Sequence, residues 1–233
     1  MFGEKLKTNL NTDYLKVVAI ISMFIDHIGA VFFPEYIAFR CIGRIAFPIF
    51  CYCMTVGALY TTSMKNYILR LGLFALISQP FYVLAFFGNE FINNIFELNI
   101  MFTLLVSVIG LWGFIEKRIF IFVVSFLLLL FIDFDYGTTG IILMLIFYIF
   151  RNKPKLSLLI LVLFYVVQAI NISPYSIYTL KIFGFNVGIS IFALFVIPFI
   201  YIKTNFGFRV PKMFFYIFYP AHLFLIFILR MFI

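Results

Sequence analysis

Nine stretches of mainly apolar residues follow one another along this chain, and they limit what it can fold into. They run roughly over 14–33, 38–60, 67–87, 98–115, 118–133, 137–150, 155–171, 186–202 and 214–232. Charged residues make up 11% of the 233 residues, well below the share in an ordinary soluble domain. A membrane helix needs about 20 mostly apolar residues. The sequence therefore predicts an all-α fold, a polytopic transmembrane helical bundle of about nine spans, between eight and ten.

The polar breaks between these stretches alternate in charge, which predicts the orientation. If the N-terminus is cytoplasmic, the cytoplasmic segments and the helix ends beside them carry 13 of the 17 Lys and Arg residues. An excess of Lys and Arg on the cytoplasmic side is the general rule. We therefore expect a multi-pass protein of the cell (plasma) membrane, with 1–233 as a single integral membrane domain and 1–13 as a cytoplasmic segment. The first apolar stretch lacks a small-residue cleavage site and is expected to stay as an uncleaved span.

Several function classes lack their sequence signatures. The chain has no Gly-rich phosphate loop, zinc motif, nucleophile elbow or nucleic-acid signature. Its three cysteines, Cys41, Cys51 and Cys53, lie in one apolar stretch without a nearby histidine, so we interpret them as buried thiols. The net charge of +8 is explained by the excess of Lys and Arg that membrane proteins carry on their cytoplasmic side. We expect no metal and no nucleic-acid partner, and we expect the lipid bilayer to surround the chain.

Four ionisable residues in the first two apolar stretches form the main candidate site, because such groups are costly inside a membrane. They are Asp26, His27, Arg40 and Arg44. The two helices are joined by a short loop, so they are antiparallel neighbours, and the two arginines share a helix face. We expect Asp26 to pair with an arginine of the second helix while His27 faces a cavity. In the alternative, Asp26 only neutralises Arg44 and holds the two helices together.

Lys16 and His27 are eleven residues apart, which places them on one face of a helix and about 16 Å apart along its axis. Lys16 then lies at the cytoplasmic surface and His27 lies deep in the membrane. A long ligand with a phosphate-rich head and an extended reactive arm fits this arrangement. Lys16 would bind the phosphates, and His27 would accept a proton near neutral pH. In the alternative, Lys16 is an ordinary lysine of the cytoplasmic surface.

The last apolar stretch contains a second histidine, His222, two residues after Pro220. Pro220 is expected to kink the helix and free a carbonyl. His222 would then be a second acid or base, a substrate ligand, or a polar pin for the kink. Two loop aspartates would attract a cationic acceptor such as an amine, or would simply be solvated. With three further polar residues they are the candidate substrate-binding residues: Gln79, Asn99, Asp133, Asp135 and Tyr219.

These residues lie in motifs that resemble the TraX family over 14–230. The first motif comprises Leu15-Lys16, Ile25–Gly29 and Arg40–Phe50, and the others are Ser78–Phe81, Asp135–Gly137 with Gly140, and Phe214–Leu223. The first and last motifs are the most specific. The spacing from Lys16 to His27 is also similar to the basic-residue-then-histidine motif of the acyltransferase-three family. Arg40 and Arg44 resemble that family's paired arginines, with a spacing that differs by one residue.

The resemblance implies a transmembrane acetyltransferase that takes its acyl group from acetyl-CoA, since the founding TraX member is associated with N-terminal acetylation of conjugative pilin. It implies His27, Asp26 and His222 as catalytic residues and Lys16, Arg40 and Arg44 as cofactor-binding residues. The arginines would also neutralise developing charge or hold Asp26. The acceptor would be an amine or a hydroxyl, on a peptide N-terminus, an amino sugar or a glycan.

Two other function classes remain open for the same residues. Intramembrane Asp, Arg and His side chains also form ion relays, so the chain would be a transporter or a proton-coupled flippase. The sequence shows no convincing internal repeat, which weakens this hypothesis. In the third class the chain is a structural or accessory membrane protein whose charged cluster only locks helices.

Overall fold

The fold is helical throughout most of the chain, in a computed structural model that describes residues 7–170, 178–182, 184–207 and 209–232. This confirms the all-α class. The α-helices are α1 (Thr12–Phe32), α2 (Ile37–Gly43), α3 (Ala46–Tyr60), α4 (Met64–Phe87), α5 (Ile100–Ile115), α6 (Ile119–Phe131), α7 (Thr139–Ile149), α8 (Pro154–Ile170), α9 (Ile197–Tyr201) and α10 (Lys212–Arg230). The strands are β1 (Thr179–Ile182) and β2 (Phe185–Gly188), and short 3-10 helices cover Gly88–Glu90 and Ile189–Val196.

Each predicted apolar stretch contains an apolar helix in the part of the chain that the structure describes. Four helical segments there have the length and composition to cross a membrane, namely Thr12–Phe32, Ile37–Tyr60, Met64–Phe87 and Lys212–Arg230. The helices in the other stretches are apolar but only 10–17 residues long. At 1.5 Å per residue they are shorter than the roughly 30 Å hydrocarbon core. The number of crossings and the cytoplasmic N-terminus stay predictions.

The second apolar stretch is not the single continuous helix that the sequence predicts. Helix α2 ends at Gly43, and α3 begins at Ala46. Pro48, in the first turn of α3, has no N–H group to donate to the carbonyl of Arg44, so a continuous ladder is interrupted here. Arg44 therefore follows the end of α2 instead of lying within it.

The eighth apolar stretch also differs from the prediction, because it begins as a strand. Strands β1 and β2 form an antiparallel hairpin in which Thr179 pairs with Gly188 and Ile182 pairs with Phe185. Gly184, in the two-residue loop, has φ +84°, a conformation that favours glycine. The backbone N–H of Ile189 donates to the carbonyl of Tyr178 (2.9 Å) and extends the pairing by one residue. Helical structure starts only at Ile189.

The helices group into two compact units, each made from two separate stretches of chain. The first unit is Met1–Tyr52 with Ile146–Phe208, and the second is Cys53–Leu145 with Arg209–Ile233. In the first, α1 packs against α2, and α8 packs against the hairpin and the 3-10 helix that follows it. In the second, α4 packs against α5 and α10, and α5 packs against α6. A single integral membrane domain stays a prediction.

In the first unit, the segment before α1 is fixed by a buried asparagine, Asn9. Its Nδ2 group donates to the carbonyl of Phe199 (2.8 Å), and its backbone N–H donates to the carbonyl of Ile200 (2.8 Å). The carbonyl of Asn9 accepts from the hydroxyl of Tyr52 (2.7 Å). Asn11 then caps α1, because its side-chain oxygen accepts from a backbone N–H of the first turn. The start of α1 is therefore held in place.

Helices α1 and α2 approach closely through small residues. A Cβ atom added at Gly29 would overlap a side chain of α2, and one added at Gly43 would overlap the carboxylate of Asp26. In the same interface, the hydroxyl of Ser22 donates to the carbonyl of Ile42 (2.6 Å). This close contact brings the backbone of α2 against the carboxylate of Asp26.

Candidate functional site

The first unit contains a cluster of one carboxylate and two guanidinium groups, as the sequence predicted. Arg40 Nη1 lies 2.5 Å from Asp26 Oδ2, and Arg44 Nη2 lies 3.6 Å from Asp26 Oδ1. Arg44 Nε also donates to the carbonyl of Arg40 (3.1 Å). The three side chains are only 13–20% exposed. The predicted pairing of Asp26 with an arginine of the second helix is confirmed, and it involves both arginines.

Tyr178 completes this cluster, although no sequence pattern predicted it. The guanidinium carbons of Arg40 and Arg44 lie 5.8 and 5.9 Å from the centre of its ring. At these distances the ring attracts both cations. The hairpin holds Tyr178 here, because its carbonyl accepts from the backbone N–H of Ile189. A tyrosine in a polar break carries no local signal that it will reach arginines of another helix.

His27 and Lys16 lie on one uninterrupted helix, α1. Because the helix is continuous between them, the two residues lie on one face and about 16 Å apart along the axis, as predicted. The side chain of Lys16 is 25% exposed, and its Nζ atom lies 3.8 Å from Asp13 Oδ1. The Asp13 carboxylate is 27% exposed, so this ion pair is only partly exposed to solvent. His27 is partly exposed and follows Asp26 directly. Their catalytic and cofactor roles stay predictions.

His222 lies in the second unit and is 4% exposed. Its Nδ1 atom is 2.9 Å from the carbonyl oxygen of Phe218, and the two rings stack with centroids 5.2 Å apart. A carbonyl oxygen can only accept, so Nδ1 carries the proton and a neutral ring has Nε2 as its acceptor. Helix α10 continues through Pro220. This geometry fits the polar pin that the sequence suggested, and the acid–base and ligand roles stay predictions.

Tyr219 is a buried residue of the second unit. Tyr219 is 5% exposed, and its hydroxyl makes no hydrogen bond of standard geometry to the described residues. This hydroxyl lies near the first backbone N–H of α5, at Ile100. The Tyr219 ring also packs edge-on against His222, with centroids 5.4 Å apart. Asp133 and Asp135 are both exposed, as loop aspartates would be.

Gln79 and Asn99 join helix α4 to the beginning of α5. Asn99 Nδ2 donates to the carbonyl of Ala75 (2.9 Å) and to Gln79 Oε1 (2.8 Å), and Asn99 Oδ1 accepts from the backbone N–H of Met101 (3.0 Å). Gln79 Nε2 donates to the carbonyl of Glu97 (2.6 Å). Both amides thus have partners in the protein, and their substrate-binding role stays a prediction.

Replacing Asn99 with alanine is expected to lower the free energy of unfolding by about 1–3 kcal/mol, because it removes a helix cap and the side-chain hydrogen bonds that this buried amide makes to α4. Thermal unfolding in detergent measures this change. Asn94→Ala is the control, since Asn94 bonds within an exposed loop and its loss is expected to have little effect. If Asn99→Ala unfolds like the wild type, the amide has no structural role.

Among the described residues, no group of three His, Cys, Asp or Glu side chains is placed to hold a metal ion. Cys51 and Cys53 are buried free thiols, as predicted. Cys41 is partly exposed, so the prediction of a buried thiol is wrong there. The reason is its place on α2, whose only buried residue is Gly43.

Comparison with known proteins places the chain in a family. The sequence profile described as "TraX protein" matches residues 11–230. A "Probable fimbrial assembly protein FimC, serogroup H1" from Dichelobacter nodosus is 33% identical over 106 residues, which cover 42% of this chain and 43% of that protein. An uncharacterized protein of Rickettsia prowazekii (strain Madrid E) is 54% identical over 46 residues, 20% of this chain and 18% of that protein.

The chain thus spans less than half the length of these curated relatives. No solved structure matches it. The family profile, in contrast, spans nearly the whole sequence, including every motif that carried the resemblance. This protein is therefore a helical membrane protein that belongs to the TraX family.

Proposed function

We propose that this protein is an acetyltransferase of the plasma membrane that moves an acetyl group from cytoplasmic acetyl-CoA to an amine or hydroxyl at or across the membrane. The observation that carries the proposal is the placement of Lys16 and His27 on one face of the uninterrupted helix α1. The similarity to a protein named for fimbrial assembly supports a role in a pilus-related process. Acetylation of a pilus component would be one such role.

The donor would bind at the Lys16 end of the first unit, where several basic residues gather. The backbone N–H of Lys7 donates to the carbonyl of Arg151 (3.4 Å). Asn9 Nδ2 donates to the hydroxyl of Thr204 (3.0 Å), which follows Lys203. These bonds bring three basic loop residues to the end of the chain's first helix. A positive field of this kind attracts a polyanion such as CoA.

His27 would act at the thioester end of the donor. As a general base, His27 accepts the proton of the acceptor's amine or hydroxyl while that group attacks the thioester carbonyl. The carbon–sulfur bond then breaks, and the CoA thiolate leaves and takes up a proton. In the covalent alternative, the imidazole itself attacks the carbonyl and the CoA thiolate leaves. The acceptor then attacks the acetyl-imidazole, takes the acetyl group and releases its own proton, and the imidazole leaves.

Thermal shifts with acetyl-CoA, CoA and desulfo-CoA test donor binding before any acceptor is known. We expect all three to raise the unfolding temperature, because all carry the phosphates. Lys16→Ala is expected to weaken their binding about 10- to 100-fold, as for loss of a charge-assisted hydrogen bond. Lys65→Ala, which removes an exposed lysine from α4, is the control.

Two results would contradict the proposal. One is the absence of any shift with CoA compounds. The other is flux of a solute into proteoliposomes without any dependence on CoA, since this would instead support a transporter or flippase.

A further inference from the structure

The cluster in the first unit carries more positive than negative charge. Within the described part of the chain, the guanidinium groups of Arg40 and Arg44 share one carboxylate, Asp26. The segment 171–177, which precedes Tyr178, contains no acidic residue. Because the three charged side chains are at most 20% exposed, the excess charge is only partly hydrated. Such a charge is unfavourable unless an anion shares it.

The geometry of the two arginines suits an oxyanion. Each guanidinium has five N–H groups in a planar fork that matches a carboxylate or a phosphate. Arg40 uses Nη1 for Asp26, while its Nε and Nη2 groups make no hydrogen bond to the residues described. Tyr178, which is 39% exposed, lies over both guanidinium groups. The cluster is therefore fixed in position by the protein, and the Tyr178 ring beside it is partly exposed.

This cluster is too far from Lys16 to bind the same phosphates. Asp26 follows Lys16 by ten residues on one helix, which corresponds to about 15 Å along the axis. Between its diphosphate and its thioester, the pantetheine arm of acetyl-CoA carries no charge. An anion at the arginines is therefore not a phosphate of a donor whose head lies at Lys16.

We propose that Arg40 and Arg44, beneath Tyr178, bind the phosphate or carboxylate group of a molecule other than the acyl donor. If the chain transfers acetyl groups, as proposed above, this molecule is the acceptor. His27 follows Asp26 directly, so the reacting group would lie near the bound anion. The acceptor class is then an amine or alcohol that carries a phosphate or carboxylate close to the atom that is acetylated.

Anion binding is measured on the full chain in detergent without CoA, by thermal shift. The probes are inorganic phosphate, acetate, and short-chain phosphatidic acid with the matching diacylglycerol, which has no phosphate. We expect saturable shifts with phosphate or phosphatidic acid and none with the diacylglycerol. Tighter binding of phosphatidic acid would indicate a lipid-borne anion, and equal binding would indicate a soluble one; both support the site.

Arg44→Gln is the decisive variant, because it removes the excess charge and leaves the Arg40–Asp26 pair. We expect anion binding at least tenfold weaker. Lys181→Gln, which removes an exposed lysine from the hairpin, is expected to bind like the wild type. If Arg44→Gln does not fold, Tyr178→Leu replaces it, with a several-fold loss expected, and Tyr178→Phe, which keeps the ring, is its control.

Three results would overturn this inference: no saturable anion shift, an Arg44→Gln protein that binds anions like the wild type, or CoA displacing phosphate competitively. The last result would assign the arginines to the cofactor. Failure of the acetyltransferase proposal looks different. In that case phosphate binds through Arg44, while acetyl-CoA gives no shift at all.

Discussion

Replacing His27 with alanine is expected to lower the rate of acetyl transfer by about 10²- to 10⁴-fold, the usual contribution of a positioned acid–base group. Alanine cannot accept the proton of the attacking amine or hydroxyl, and it cannot carry the acetyl group. His27 is partly exposed on α1, and the rate is expressed per folded molecule so that any loss of stability does not count as a loss of activity. The measurement is incorporation of labelled acetyl from acetyl-CoA by purified protein, with a native membrane extract supplying the acceptor.

The matched control is Ile21→Ala, because Ile21 is a 55% exposed residue on the same helix. We expect this variant to transfer acetyl groups like the wild type. Full activity of His27→Ala would contradict the mechanism. Omitting the acceptor separates the two chemical routes. Labelled acetyl retained on the wild type but absent from His27→Ala indicates the covalent route, and its absence from both indicates general-base catalysis.

Apolar patterns predicted correctly that each of the nine stretches contains a helix, because such patterns act locally. A long apolar segment is costly to hydrate wherever it lies in the chain, so it enters lipid or the protein interior. There its backbone N–H and C=O groups must bond to one another, and a helix satisfies them without help from the rest of the chain. The contact of Asp26 with the arginines was also predictable. Helices joined by a loop as short as 33–36 must run side by side, and the charged residues then lie at matching heights.

Features that depend on distant contacts could not be predicted in this way. The position of Tyr178 depends on how the β1–β2 hairpin packs in the first unit. No pattern in the sequence around Tyr178 indicates this packing. Gln79 and Asn99 looked like membrane-embedded site residues because they are polar, yet each bonds to the backbone at or just before the start of α5. Helix α2 ends at Gly43 because Pro48 has no backbone N–H to donate, although the apolar run on both sides of this break favours one continuous helix.

Replacing Asp26 with asparagine is expected to lower the free energy of unfolding by about 3–5 kcal/mol, the typical cost of removing one partner from a buried ion pair. Asparagine has nearly the same shape, so the close approach of Gly43 is retained. What changes is charge, because Arg40 and Arg44 then lie together without a carboxylate. Thermal unfolding and the rate of proteolysis in detergent measure the loss.

A second substitution tests whether charge is the cause. Adding Arg44→Gln to Asp26→Asn removes one of the two cations, so we expect the double variant to be more stable than Asp26→Asn alone. The sum of the two single effects would then overestimate the loss, as is usual for residues in contact. An Asp26→Asn protein as stable as the wild type would show that the carboxylate does not hold α1 to α2.

Activity per folded molecule then separates the two interpretations of this cluster. If Asp26 and the arginines only lock helices, the Asp26→Asn protein that remains folded should transfer acetyl groups at the wild-type rate. If they also position His27 and an anionic acceptor, the folded fraction should be slow, because the released guanidinium groups no longer hold their places. A buried ion pair by itself is weak evidence for stability. The rate, rather than the unfolding temperature, therefore decides whether the first two helices carry the chemistry.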